Sequence, residues 1–109
     1  MKNRVLSMLG IAARAGSVSS GETGTEKAIK SGRAYLVIVA GDASDNTCKK
    51  FRNSCEYYEV PFVLFGTKEE LGEAIGKDYR SSLAIIDGNL AKAVAGKLKA
   101  EGATPTIEL

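Results

Sequence analysis

A three-layer α/β/α sandwich is the fold this sequence predicts, with a mixed sheet of about four strands and helices on both faces. Three observations predict it. Runs rich in β-branched residues alternate with segments whose apolar residues recur every three or four positions. The segment Tyr35-Leu36-Val37-Ile38-Val39-Ala40 is apolar throughout, as a strand covered on both faces must be. Glycines close most of the helical segments, at Gly16, Gly32, Gly76 and Gly102. The 109 residues suffice for one domain with one core, taken as 1–102 with a tail at 103–109. The alternation of strand and helix further predicts a mainly parallel core.

From Asn3 to Ala15, Val5, Leu6, Leu9, Ala12 and Ala13 recur at helical spacing, and Gly16 stops the helix. Ser17-Val18-Ser19-Ser20 reads as an edge strand. After the Tyr35–Ala40 strand, Ser44 or Asp45 caps a helix reaching about Tyr58. Its inner stripe is Cys48, Phe51, Cys55 and Tyr58, while Lys49, Lys50 and Arg52 fall outside it as a solvated face. Val60–Phe65 is a second buried strand, with Pro61 at its entry. Thr67 and Glu70 have the spacing of a capping box, opening a helix that stops at Gly76. Ser82–Asp87 is the next strand, and Asn89 is expected to cap the last helix, with Leu90, Val94 and Leu98 inward. The tail from Ala103 contains Pro105 and is expected to be loosely held.

One stretch carries the functional signal: Ser19 to Gly32, a glycine-broken loop running into a short helix. Thr23 and Glu26 have capping-box spacing, which starts the helix at Thr23; Ser19 with Glu22 is the alternative cap. A helix start presents unpaired N–H groups and partial positive charge, which suit phosphate. Gly21 and Gly24 remove side chains that would hold a ligand's backbone away, and Lys27 and Lys30 add full positive charges.

Net charge is only +2, but residues 1–33 hold six basic groups against two acidic ones, or +4. The rest holds nine against eleven, or −2. A basic patch on a near-neutral body points to a polyanionic partner. No run is apolar enough to span a membrane, and the start Met1-Lys2-Asn3-Arg4 leads into an amphipathic helix rather than a signal peptide. Cytoplasm is the expected location. Cys48 and Cys55 lie seven apart on one helix, roughly 10 Å along its axis, too far for a disulfide there. They are expected as buried reduced thiols. With no histidine in the chain, the usual general base is missing, and no metal or cofactor site is expected.

Several segments together resemble a known family. They are Leu9-Gly10-Ile11-Ala12-Ala13-Arg14-Ala15-Gly16, the Ser20–Gly32 stretch, Leu36 through Ser44, Gly66-Thr67-Lys68-Glu69-Glu70-Leu71-Gly72, and the strand Leu83–Ile86. In order and spacing they are similar to the ribosomal-protein L7Ae/L30e superfamily, above all its short bacterial YlxQ-type members, over residues 3–98. The resemblance implies a four-stranded α/β/α sandwich that binds kinked RNA, the kink-turn, as a non-catalytic component of ribonucleoproteins. It implies contact to tandem sheared G·A pairs through Gly21, Glu22, Thr23, Gly24 and Lys27, with Lys30 further along the same helix. It implies a second contact through the loop of Tyr79, Arg80 and Ser81. Archaeal and eukaryotic members usually carry Asn-Glu where this chain has Thr23-Gly24. The implied partners are structured RNA, ribosomal or kink-turn-like, and the ribosome; no membrane is implied, and nothing suggests more than a monomer.

Two rival readings are weighed against it. A nucleotide-binding enzyme would need a P-loop, but Glu26 stands before the lysine and Ala28 after it, where glycine and Ser/Thr are required. Asp42 and Asp87 at strand ends read as turn formers rather than metal ligands. A protein-interaction module would use Tyr35, Tyr57, Tyr58 and Phe65, which otherwise read as core.

Overall fold

The computed structural model describes residues 3–109. Met1 and Lys2 lie outside the described residues, and with them the reading of the chain's start and the share of Lys2 in the N-terminal charge. In chain order the elements are α1 (Arg4–Arg14), β1 (Val18–Ser20), α2 (Gly21–Lys30), β2 (Leu36–Val39), α3 (Asp45–Tyr58), β3 (Phe62–Leu64), α4 (Lys68–Ala74), β4 (Ser82–Ile85) and α5 (Gly88–Ala100).

The strands form one sheet in the order β1-β4-β2-β3. It is mixed, but the expectation of a mainly parallel core is wrong: only β2 and β3 pair in parallel, with Val37 opposite Phe62. β4 inserts between β1 and β2 and runs antiparallel to both, with Ser20 opposite Leu83 and Val39 opposite Ser82. The strand–helix alternation is real, yet the insertion of the last strand leaves no local trace in it. The end of β1, the end of β2 and the start of β4 meet at one pole of the sheet.

α1, α4 and α5 cover one face through Val5, Leu9, Leu71, Ala91, Val94 and Leu98, against Leu36, Ile38, Leu83 and Ile85. α2 and α3 cover the other through Ala28, Ile29, Phe51 and Cys55, against Val37, Val39, Phe62 and Ala84. Each fully buried Leu, Ile or Phe contributes about 2 kcal/mol by leaving water. Both faces of β2 are therefore occupied, which is why its four residues are all apolar.

The caps mostly follow from the sequence. Asn3 Oδ1 accepts from the Val5 and Leu6 amides at 2.8 and 3.2 Å. Ser44 caps α3, and Thr67 with Glu70 closes the expected capping box on α4. α5 differs: Asp87, not Asn89, accepts from the Leu90 amide at 2.9 Å, two residues earlier than expected. Asp42 accepts from the Lys68 amide at 2.8 Å, so both strand-end aspartates serve backbone at helix starts.

Two further expectations change. Tyr58 does not belong to the inner stripe of α3. It is exposed and lies edge-on to Tyr57, with ring centroids 4.9 Å apart. The tail is pinned rather than loose: the Thr106 amide donates to the Phe62 carbonyl at 2.9 Å, and Thr106 Oγ1 accepts from the Phe62 amide at 3.0 Å. Pro105 is buried, so the segment covers part of the outer edge of β3. Both cysteines are free thiols, and burial, with Glu26 nearby, pushes Cys55 up to about 12.

Candidate nucleic-acid interface

Ser20 ends β1 in extended conformation (φ −121°, ψ 166°), and the chain turns at once into α2. That turn uses a left-handed backbone at Gly21, φ +84°, which side chains strain against. α2 therefore begins two residues before Thr23, and neither expected capping box exists. Glu26 is drawn away to cations, and the Ser20 hydroxyl accepts from Arg80 Nε at 3.2 Å instead of capping. Among the described residues no side chain caps α2, so its first-turn amides keep no side-chain partner there.

The second segment, Tyr79-Arg80-Ser81, is laid against α4 by backbone. The Arg80 amide donates to the Lys68 carbonyl at 3.0 Å, and the Lys77 amide to the Gly72 carbonyl at 2.8 Å. The Ser81 carbonyl accepts from the Ala40 amide at 2.9 Å, tying the segment to the end of β2. Arg80 Nη1 donates to the Tyr79 carbonyl at 2.9 Å, which fixes the guanidinium beside Ser20. Tyr79 is left 67 % exposed. Below, the buried Ser82 hydroxyl donates to the buried Thr25 hydroxyl at 3.1 Å, locking α2 onto the start of β4.

These contacts bring the two expected segments to one open pocket of about 320 Å³. Gly21, Glu22, Tyr79, Arg80 and Ser81 line it. Ser20, Thr47, Phe51 and Ser82 line it too and were missed. Ser20 had a signal, since it directly precedes the turn glycine; Thr47 and Phe51 had none, because the seating of α3 beside α2 is a tertiary fact.

Thr23, Gly24, Lys27 and Lys30 lie outside the pocket, along α2. Thr23 and Lys27, one turn apart, are exposed. Gly24 is half-buried, and a Cβ there would meet the Ser19 hydroxyl at 3.5 Å, an ordinary contact. Lys27 takes part in no ion pair among the described residues. Lys30 is held 3.2 Å from Glu26 Oε2 at the far end of the helix.

The reading of Lys50 as mere solvated face is also corrected. From α3 its ammonium reaches Glu22 Oε2 at 3.1 Å and Glu26 Oε1 at 3.4 Å. Burial pushes the Glu26 carboxyl up, but the Lys30 and Lys50 ammoniums outweigh it and hold it below the usual value. The Glu22 carboxylate, with Glu26 behind it, raises Lys50 against a smaller loss to burial. Of the aromatics read as core, Tyr35 is 51 % and Tyr57 79 % exposed.

A family model described as "Ribosomal protein L7Ae/L30e/S12e/Gadd45 family" matches residues 3–95. The chain is 43% identical over 84 residues to a protein named RNA-binding protein YlxQ from Bacillus subtilis (strain 168), covering 77% of this chain and 84% of that protein. A solved structure described as a protein with unknown function from Bacillus halodurans C superposes with TM-score 0.86 at 35% identity, over 90% of this chain and 99% of that one. The Giardia lamblia 15.5kD RNA binding protein superposes with TM-score 0.76 at 27% identity, over 88% and 85%.

Proposed function

The chain belongs to the ribosomal protein L7Ae/L30e/S12e/Gadd45 family, and from that premise we propose that it is a non-catalytic, ribosome-associated binder of structured RNA of the kink-turn kind, acting in the cytoplasm as a monomer. The observation that carries the reading is the Arg80–Ser20 bond at 3.2 Å. It joins two segments distant in sequence into one surface, where uncapped helix amides, an exposed tyrosine and a guanidinium converge. Bent RNA offers phosphates, splayed base edges and 2′-hydroxyls, which such a surface reads. Two relatives in sequence and fold are themselves named RNA-binding proteins, which supports the same partner.

Thr23-Gly24 sets the mode. Gly24 has no side chain, and Thr23 offers one hydroxyl where an amide would bond two ways. The G·A step is therefore met by the amides of the helix start and by Lys27, and the RNA is selected by its bend and backbone path more than by base identity. A gel shift tests this, using a kink-turn RNA and a copy whose G·A pairs are replaced by Watson–Crick pairs. The kink-turn RNA should bind at least about tenfold more tightly. Equal affinities would leave a non-specific RNA binder. Co-sedimentation with ribosomal particles tests the association with the ribosome.

The exposed tyrosines support a second, compatible reading, contact with protein. Tyr35 precedes β2 at the end marked by Leu36 opposite Ile85, whereas the pocket lies at the end marked by Val39 opposite Ser82. A protein partner there would leave the RNA surface open.

A further inference from the structure

We propose that Lys50 is a positioning residue of the RNA surface: its ammonium cancels the acidic flank of α2, so that Lys27 and the first helix amides meet RNA as a net positive surface. The role rests on the RNA-binding reading above and deepens it. α2 carries two acids one turn apart, Glu22 and Glu26, on the helix meant to approach phosphate. Phosphate would be repelled by both unless something on the protein answers them.

The answer comes from the neighbouring helix. Lys50 Nζ stands 3.1 Å from Glu22 Oε2 and 3.4 Å from Glu26 Oε1, while Lys30 takes Glu26 Oε2 at 3.2 Å. Two carboxylates face two ammoniums and their charges cancel, which leaves Lys27 as the uncompensated charge of the helix. Glu26 cannot simply swing into water. Its side chain is only 20 % exposed, and the Ser54 hydroxyl donates to Oε2 at 3.5 Å. Its Oε1 is buried with no hydrogen-bond partner, and among the described residues Lys50 is the cation within ion-pair distance of that atom. The Lys50 ammonium also lies 5.6 Å from the ring centre of Phe51, a residue of the pocket wall. Removing Lys50 would leave a fixed negative charge beside Lys27, well inside the screening distance of about 10 Å at 0.1 M salt. The α2 side of the surface would then be neutral where it must attract a polyanion.

The test uses the full chain and a kink-turn RNA. Lys50→Met keeps the aliphatic stem and removes the charge. It should bind roughly tenfold more weakly at low salt, with the deficit shrinking as salt rises. Adding Glu26→Gln to Lys50→Met returns the group to the parent's net charge and should restore affinity to within about threefold of the parent. Lys50→Arg should bind as the parent does. Without RNA, the NMR titration midpoint of Glu26 should move up in Lys50→Met. Lys50→Met binding like the parent would overturn the role. So would a deficit undiminished in the Lys50→Met/Glu26→Gln double variant, which would make Lys50 a direct phosphate contact. A parent that binds no RNA removes the RNA reading itself and this role with it, and that failure is recognisable because it lies in the parent.

Discussion

Gly72 on α4 and the carbonyl of Asp78 occupy nearly the same space as a side chain would: a Cβ on Gly72 would sit 1.3 Å from the Asp78 oxygen. The absent side chain is what lets the segment leading to Tyr79 and Arg80 lie flat on α4. Because the obstacle is backbone, no rotamer change relieves it. Gly72→Ala should therefore lift the segment, break the bond from the Arg80 amide to the Lys68 carbonyl, and cost about 3 kcal/mol of stability by urea unfolding. RNA affinity of the folded fraction should fall as well. Parent-like values of both would show that the loop accommodates a methyl and that its seating is not what shapes the pocket.

Arg80 lines the pocket while Lys27 lies outside it along α2, and their losses should differ in kind. Lys27→Ala should cost on the order of 1–3 kcal/mol of RNA affinity and lower the salt slope by about one, as removal of one phosphate contact does. Arg80→Ala should cost a similar amount and also free the Ser20 hydroxyl, which accepts from Nε in the parent. Titrations at several salt concentrations check both. Parent-like binding by both variants would mean that the site lies elsewhere on the molecule.

Stability should depend on pH through Glu26. Its carboxyl titrates below the ordinary 4.5 in the folded chain, because Lys30 and Lys50 outweigh the opposing effect of burial. A lowered carboxyl stabilises fully above the unfolded value, and that stabilisation is lost as pH falls through the folded value. The parent should thus lose more Tm than Glu26→Gln between about pH 5 and about pH 3. Matching acid profiles would show that the ion pairs do not couple to folding.

Thr106 holds the tail to the edge of the sheet by a reciprocal pair of bonds with Phe62. Thr106→Val keeps the amide bond and removes the hydroxyl acceptor. It should cost about 1 kcal/mol and speed exchange of the Phe62 amide. Unchanged exchange would mean that the tail does not protect that edge.

Much of this molecule was legible residue by residue. Ser44 and Thr67 announced helix starts because a cap is a local bond between a side chain and an amide two or three residues on. Gly32 announced the end of α2 because a left-handed stop, φ +77°, is likewise local. The same logic misled at Thr23 and Asn89: α2 starts at Gly21 with no side-chain cap from Ser20, and Asp87, two residues before Asn89, caps α5. Of the candidate site, Gly21, Glu22 and the Tyr79–Ser81 segment were placed at the pocket, whereas Thr47, Phe51 and Lys50 belong to a helix that nothing in the local pattern ties to α2.

By itself the sequence determined the elements, the two covered faces of the sheet, the lysine-bearing helix and its glycine turn, since these follow from periodicity and from conformations open to single residues. Only the tertiary structure decided that β4 enters between β1 and β2, that Arg80 meets Ser20, and that Lys50 stands between Glu22 and Glu26. Each of those depends on which distant surfaces bury together, and short-range spacing carries no record of that choice.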